Sequence, residues 1–259
     1  MISRIEETFR KLKKKGKKAF IPYIMAGDPS LERTKGVVLL FEECGADIVE
    51  LGVPFTDPLA DGPTIQRASE RALEAGVTLR KVVAFVKDLR KSTQIPIVLM
   101  TYYNPVFKYG DESFIRDAKD AGVNGVIVPD LPPDEAASFT VASRKAGLDT
   151  IFLLAPTSTP DRIKRVAKQS RGFIYYVSIT GITGSRLLLD GSMETVISEI
   201  REHTNKPIAV GFGVSTPEEA SVVSKVADGV IVGSAIVKRL NESPEQLKRY
   251  VTSLREAIG

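Results

Sequence analysis

The chain has 259 residues, of which 43% are hydrophobic and 26% are charged, and its formal net charge at pH 7 is +4. This composition is typical of globular proteins and excludes a largely disordered or fibrous chain. The single cysteine, Cys44, and the single histidine, His203, exclude a disulfide framework and a histidine-rich metal site. Acid–base chemistry is therefore expected to depend on Asp, Glu, Lys or Tyr, and the small positive charge is compatible with an anionic substrate.

The first residues, Met1–Lys18, are charged and amphipathic, which indicates an N-terminal helix rather than a secretory signal. No apolar run in the sequence approaches the roughly 18 residues that a membrane span requires. A cytoplasmic protein is therefore expected.

Short and nearly continuous apolar runs recur along the whole chain. Such runs favour strands of a parallel sheet that is covered on both faces. The eight predicted strands are Ala19–Met25, Asp47–Leu51, Pro96–Tyr102, Gly125–Val128, Thr150–Leu154, Phe173–Ser178, Pro207–Val210 and Gly229–Val232.

Segments with apolar residues at helical spacing separate these runs. They are a helix from the N-cap Ser30 to Cys44, an extra helix Thr64–Ala75 after the second strand, and Leu79–Arg90, Asp111–Ala121, Pro133–Ala146, Ser192–His203 and Pro217–Lys225. Gly45, Gly122 and Gly147 each follow a helix and are expected to supply a left-handed C-cap. The alternation predicts a (β/α)8 barrel or a doubly wound sheet, with residues 1–259 in one domain.

Glu50 lies near the end of the second predicted strand, in the segment DIVELG at positions 47–52. A carboxylate in an apolar strand costs free energy unless it is paired, protonated or used. One interpretation is a salt bridge at the barrel mouth. The other is catalysis, because the carboxyl ends of barrel strands face the active site and burial raises the pKa toward the range of a general acid or base.

Two further carboxylates, Asp57 and Asp61, follow in the loop Pro54–Gly62. Each one alone is compatible with a turn or a helix N-cap. Together with Glu50 on the preceding strand, they make a two-carboxylate site plausible, with one proton donor and one anionic stabiliser.

Glycine-rich turns follow the last three predicted strands. They are Gly181–Ser185, Gly211–Ser215 and Gly233–Ile236. Barrels often hold a phosphate on the loops after strands seven and eight and on a short helix N-terminus, because glycines expose backbone N–H groups there. The pattern predicts a phosphate site beside the helix that begins near Ser234.

Three other side chains lie at or near strand ends. Tyr102 belongs to the segment Met100–Pro105, which is either a turn or part of a site. Asp130 follows the fourth strand and is compatible with helix capping. Tyr175 lies on the sixth strand and lines the barrel only if its side chain points inward.

The segment from Glu50 to Gln66 reads ELGVPFTDPLADGPTIQ, and it resembles the tryptophan synthase alpha subunit family. Supporting segments are Tyr102–Phe107, Gly181–Gly184, Gly211–Ser215 and Gly233–Val237. The resemblance extends over nearly the whole chain. It implies a (β/α)8 barrel that cleaves indole-3-glycerol phosphate by a retro-aldol reaction to indole and glyceraldehyde 3-phosphate.

The resemblance also implies residue roles. Glu50 matches the general acid–base group that protonates indole C3, and Asp61 matches the carboxylate that binds the indole N–H. Substrate binding is implied for Tyr102, Tyr175, the lid residue Thr183, and Gly184, Phe212, Gly213, Gly233 and Ser234. No metal or organic cofactor is implied in this chain.

A partner is implied as well, namely a beta subunit that carries pyridoxal phosphate in an αββα complex. The residues expected at the interface are Asp57, Pro58, Asn104, Pro105 and Phe107. Two alternatives are another phosphate-binding barrel enzyme of the same pathway and a non-catalytic activator of the partner. The first should need a catalytic Lys or Cys at a strand end, which the motifs lack, and intact Glu50 and Asp61 argue against the second.

Overall fold

Helices and strands alternate through the computed structural model, which describes residues 2–177, 192–211 and 213–259. The strands are β1 (Ala19–Met25), β2 (Val49–Gly52), β3 (Ile97–Met100), β4 (Gly125–Ile127), β5 (Asp149–Ile151), β6 (Leu153–Leu154), β7 (Ile174–Val177), β8 (Ile208–Gly211) and β9 (Gly229–Val232). The helices are α1 (Arg4–Lys14), α2 (Leu31–Glu43), α3 (Pro63–Glu74), α4 (Leu79–Leu89), α5 (Tyr103–Tyr109), α6 (Asp111–Asp120), α7 (Ala137–Ala146), α8 (Pro160–Gln169), α9 (Ser192–His203), α10 (Pro217–Val226), α11 (Ser234–Val237) and α12 (Pro244–Ile258).

The strands pair in parallel, in the order β5-β4-β3-β2-β1-β9-β8-β7-β6. Segments β5 and β6 lie at the two ends of this order, although only Phe152 separates them in the chain. The Phe152 carbonyl accepts a hydrogen bond from the Tyr175 N–H at 3.1 Å, so the two edges meet. The predicted (β/α)8 barrel is therefore confirmed, and the doubly wound alternative is wrong because such a sheet has open edges.

The predicted N-terminal helix is α1, and the predicted extra helix after the second strand is α3. The three glycines expected to end helices adopt the left-handed backbone conformation, with φ of 85° at Gly45, 91° at Gly122 and 75° at Gly147. Each one reverses the chain toward the next strand, as a glycine C-cap does.

The third strand is shorter than predicted. The strand ends at Met100 rather than Tyr102, and the helix α5, which is absent from the predicted set, begins at Tyr103. The Asp130 carboxylate accepts the Tyr103 N–H at 2.8 and 3.1 Å. Asp130 is therefore a capping residue, but it caps a helix of the preceding βα unit, which no local pattern indicates.

The helix predicted over Pro133–Ala146 begins only at Ala137. The Pro132 carbonyl accepts hydrogen bonds from the N–H groups of Glu135 and Ala136, and this turn replaces the first predicted helical turn. Two more helices, α8 and α12, are absent from the predicted set.

Helix α1 packs across the amino-terminal end of the barrel. Ile5 is fully buried, and a side chain at Gly125 would collide with it. The ring centroid of Phe9 lies 5.7 Å from that of Phe173. Among the described helices, none combines the length and the apolar character that crossing a membrane requires.

Candidate active site

A cavity of about 690 Å³ lies at the carboxyl ends of the strands, where barrel enzymes place their chemistry. Residues of β1, β2, β3, β7 and β9 line it, together with the loop before α3 and the turns after β8 and β9. The predicted site residues that line it are Glu50, Asp61, Tyr175, Gly213, Gly233 and Ser234. Three other predicted residues, Thr183, Gly184 and Phe212, lie outside the described residues.

Glu50 lies on β2, with its Cα in register with Tyr23 of β1 and Val98 of β3. It is 1% exposed, and neither carboxyl oxygen has a hydrogen-bond partner among the described residues. The salt bridge considered from the sequence is therefore absent from this part of the chain. Burial, and secondarily the negative charge of Asp61, raises the pKa of Glu50 to about 8. Near pH 7 this group carries a proton that it can donate.

Asp61 lies in the loop between β2 and α3, and its Oδ2 accepts a hydrogen bond from the Tyr102 hydroxyl at 3.1 Å. Burial raises the pKa of Asp61 to about 6, and the bond from Tyr102 opposes that rise. Near pH 7 Asp61 is therefore mostly ionised whereas Glu50 is mostly neutral. Two carboxyl groups held in different protonation states can serve as an acid and as an anionic stabiliser in one cavity.

The loop that carries Asp61 is held from two sides. The Tyr102 hydroxyl also accepts the Ala60 N–H at 3.0 Å, and the Tyr102 ring stacks on Phe55 with centroids 5.2 Å apart. On the other side, the hydroxyl of Ser69 on α3 accepts the Phe55 N–H at 2.9 Å and donates to the Phe55 carbonyl at 3.0 Å. The extra helix α3 therefore helps to position the loop, a role that sequence inspection missed.

Three of the residues predicted to bind phosphate, Gly213, Gly233 and Ser234, line the same cavity as the two carboxyl groups. At Gly213, where φ is 83°, the point that a Cβ would occupy has no atom of the described residues within 4 Å apart from the glycine itself and its chain neighbours. Gly233 is the N-cap of α11 and provides no side-chain bond to the first N–H groups. Lys238 and Arg239 also line the cavity, so positive charge accompanies the exposed backbone. The glycine pattern alone did not indicate these two cations.

Tyr175 points into the barrel, because it lines the cavity and is 4% exposed. Tyr23 lines the cavity as well, at 5% exposure, although sequence inspection did not single it out. Burial raises the pKa of both phenols well above their usual value, so both keep their protons. The only sequence signal for Tyr23 is a polar hydroxyl in an apolar strand.

The residues predicted to face a partner lie on two segments beside the cavity. Asp57 and Asn104 are exposed, Pro58 and Pro105 are half-buried, and Phe107 is 68% exposed. Leu59, which sequence inspection missed, is 94% exposed. Leu59 and Phe107 are the two most exposed large apolar side chains in the part of the chain that the structure describes.

Among the described residues, no group of three or more His, Cys, Asp or Glu side chains is placed to hold a metal ion. His203, the last residue of α9, does not line the cavity. The cavity is lined by carboxyl, phenol and lysine side chains, which belong to the set of acid–base groups that the composition allows.

Comparison with known proteins gives one consistent result. Residues 9–259 match the family model described as tryptophan synthase alpha chain. The chain is 52% identical to the tryptophan synthase alpha chain of Geobacter sulfurreducens over 100% of both chains. Among solved structures it is similar to tryptophan synthase of Mycobacterium tuberculosis, with a TM-score of 0.93 and 38% identity over 100% of this chain and 99% of that one. It is also similar to tryptophan synthase subunit alpha of Legionella pneumophila, with a TM-score of 0.91 and 38% identity over 100% and 99%. The chain belongs to the tryptophan synthase alpha chain family.

Proposed function

We propose that Glu50 and Asp61 carry out the reaction of the alpha subunit, the retro-aldol cleavage of indole-3-glycerol phosphate to indole and glyceraldehyde 3-phosphate. One observation carries this proposal. A buried carboxyl group without a hydrogen-bond partner among the described residues faces the same cavity as a second carboxyl group with a lower pKa.

In the proposed mechanism, protonated Glu50 donates its proton to indole C3, because indole is a poor leaving group until that carbon is protonated. Protonation places positive charge on the ring nitrogen system. The Asp61 carboxylate binds the indole N–H and stabilises that charge. The unprotonated Glu50 then takes the proton of the C3′ hydroxyl, the C3–C3′ bond breaks, and its electron pair returns to the ring. The C3′ oxygen becomes the aldehyde oxygen, and Glu50 is left protonated for the next turnover.

The phosphate group of the substrate is proposed to bind at Gly213, Gly233 and Ser234. The uncapped N–H groups at the start of α11 and the cations Lys238 and Arg239 support this assignment. The resemblance adds Gly184 to the phosphate cradle, Thr183 to the lid and Phe212 to the pocket wall. Tyr102 is expected to act through Asp61, because its hydroxyl is bonded to that carboxylate.

Indole release by the isolated chain tests the proposed function. The purified chain is incubated with indole-3-glycerol phosphate, with and without a beta subunit, and indole is measured. We expect release in both cases. Release only when the beta subunit is present, and at a rate that Glu50→Gln leaves unchanged, would instead identify a non-catalytic activator.

A beta subunit that carries pyridoxal phosphate is the proposed partner, in an αββα complex. We propose that it docks on Asp57, Pro58, Asn104, Pro105 and Phe107, where the exposure of Phe107 and the neighbouring Leu59 supports an apolar contact. Phe107→Asp should weaken the complex by at least about tenfold, because an apolar anchor becomes a charge. The matched control is Val141→Asp on α7, which changes another exposed apolar side chain and should leave the affinity unchanged.

We also propose that the chain forms one domain. A single cluster of buried side chains runs from Ile5 to Ile258, which supports one domain over residues 1–259. A cytoplasmic location stays a prediction from the sequence.

A further inference from the structure

Tyr23 lies between the two ends of the proposed site, and no role follows for it from the mechanism above. Strand β1, which carries it, pairs with β2 on one side and with β9 on the other. The Cα of Tyr23 is in register with Glu50 of β2, and its neighbour Pro22 is in register with Val232 of β9. Tyr23 therefore lies at the same level of the barrel as Glu50 and Gly233, on the strand between the two strands that lead to them.

The Tyr23 side chain occupies space that is free because two neighbouring residues are glycines and have no side chain. A Cβ at Gly52 would lie 2.1 Å from the Tyr23 hydroxyl oxygen, and a Cβ at Gly233 would lie 3.4 Å from the Tyr23 ring. The ring therefore rests beside the phosphate end, and the hydroxyl reaches the strand of Glu50. Since Tyr23 also lines the cavity, its position along the cavity is set by backbone on both sides.

The Tyr23 hydroxyl is an uncharged hydrogen-bond donor near two carboxyl groups. The negative charges of Asp61 and Glu50 both act on it, and burial keeps it protonated. Asp61 already receives the Tyr102 hydroxyl, whereas no bond joins Tyr23 to either carboxyl group. A buried hydroxyl that is held in place beside a cavity is suited to a polar group of the ligand.

We propose that the Tyr23 hydroxyl donates a hydrogen bond to a hydroxyl group of the substrate's glycerol chain. This inference rests on the proposed function, because that function places the indole ring at the carboxyl groups and the phosphate at Gly233. The glycerol chain then spans the stretch of cavity that Tyr23 lines. Tyr23 is thus a specificity-determining residue, which recognises a chain with hydroxyl groups and holds its C3′ carbon near Glu50.

The test removes the hydroxyl from the protein and, separately, from the ligand. Tyr23→Phe is compared with the parent chain for binding of indole-3-glycerol phosphate and of 3-(indol-3-yl)propyl phosphate, which keeps the ring, the three-carbon chain and the phosphate but lacks both hydroxyl groups. Binding is measured by calorimetry on a Glu50→Gln background, so that the substrate is not consumed. Indole release is measured for Tyr23→Phe with Glu50 intact.

We expect Tyr23→Phe to weaken binding of the glycerol ligand about tenfold, the effect of one lost neutral hydrogen bond. Binding of the propyl ligand should stay within about twofold, because that ligand has no hydroxyl to lose. The matched control is Tyr176→Phe, which deletes the same group from a buried tyrosine on β7 that does not line the cavity. This control should leave both affinities unchanged.

Equal weakening of both ligands would overturn the proposal, because it would indicate a packing role, and so would unchanged binding of the glycerol ligand. Failure of the proposed function has a different signature. In that case the chain with Glu50 and Tyr23 intact releases no indole, while the calorimetric comparison still decides whether Tyr23 recognises the glycerol hydroxyl groups.

Discussion

The two ends of the barrel carry cavities of nearly equal volume, about 690 Å³ at the carboxyl end and about 640 Å³ at the amino end. The amino-end cavity is lined by two anions, Glu6 and Asp228, and by six cations, which are Arg10, Lys13, Lys17, Lys18, Arg201 and Lys206. Three of them bind carbonyls at or near helix ends: Lys18 binds Ala227 at 2.7 Å, Lys206 binds Ala167 at 2.6 Å, and Arg201 binds Val226 at 3.0 Å. Helices of a βα barrel end on this side, so their negative ends attract cations. Cavity volume therefore does not show which end of the barrel holds the candidate site. The two ends differ in whether their charged side chains already have hydrogen-bond partners in the protein.

The buried carboxyl groups at the two ends of the barrel also differ in their hydrogen-bond partners. Asp149 at the amino end is fully buried, but Ser3 donates a hydrogen bond to it and Arg171 lies 3.5 Å away. Its pKa rises only to about 6, because the Ser3 bond opposes the effect of burial. Glu50 at the carboxyl end lacks such a donor among the described residues, and its pKa rises to about 8. Two carboxyl groups that are both shielded from solvent thus differ, because Asp149 has a donor and a nearby cation, whereas Glu50 is bonded to neither among the described residues and is subject to the negative charge of Asp61.

The largest effect is expected from Glu50→Gln, which keeps the shape of the side chain and removes the transferable proton. Loss of general acid–base catalysis should lower indole release by about 10²–10⁴-fold. Asp149→Asn, at the opposite end of the barrel, should retain activity and serves as the buried-carboxyl control. Rates of indole release and thermal unfolding curves check both variants. Near-full activity of Glu50→Gln would remove the distinction between the two ends.

Asp61→Asn should lower kcat by about 10²–10³-fold, because an amide cannot stabilise the positive charge on the indole ring. KM should change less, since the size of the side chain is kept. Tyr102→Phe should have a smaller effect of about tenfold, because it leaves the carboxylate but removes one hydrogen bond that positions it. Steady-state kinetics of the three proteins check this order, and an unchanged kcat in Asp61→Asn would refute the role of Asp61.

The pH dependence of indole release should report the two protonation states. Glu50 must be protonated to donate, so activity should fall above its pKa of about 8. Asp61 must be ionised to stabilise positive charge, so activity should fall below its pKa of about 6. Each limb should approach about a tenfold loss per pH unit. In the slow Asp61→Asn variant the acid limb should disappear, and its persistence would mean that another group titrates there.

The smallest effect is expected at the amino end. Ser3→Ala removes the α1 N-cap and the donor to Asp149 together, which should cost about 1–2 kcal/mol of the free energy of unfolding. Because the Ser3 bond favours the ionised form of Asp149, the cost should be larger above its pKa of about 6 than below it. Thermal unfolding at pH 5 and pH 8 measures this difference. Indole release should stay unchanged, and a loss of activity without loss of structure would mean that the two ends are coupled.

Local sequence pattern was sufficient for most of the barrel. Glu50 was identified because a carboxylate at the end of an apolar strand is costly. Asp61 was identified because it follows in the next loop and matches the family resemblance, and both side chains line one cavity. The direction of the Tyr175 side chain could not be predicted, because successive residues of a strand point to opposite faces and the first residue of the strand was not known. Helix α5 was missed because its cap, Asp130, comes from a different βα unit.

The sequence by itself determined the alternation of strands and helices, the glycine caps, and the choice of Glu50 and Asp61 as candidate site residues. These features can be recognised from residues that are close to one another in the chain. Tertiary structure decided the closure of the sheet through Phe152, the bond from Tyr102 to Asp61, and the position of Tyr23 between Gly52 and Gly233. It also decided which buried carboxylates have partners, and therefore which pKa values rise most. Those properties depend on distances between segments far apart in the chain, and only the register and closure of the barrel set those distances.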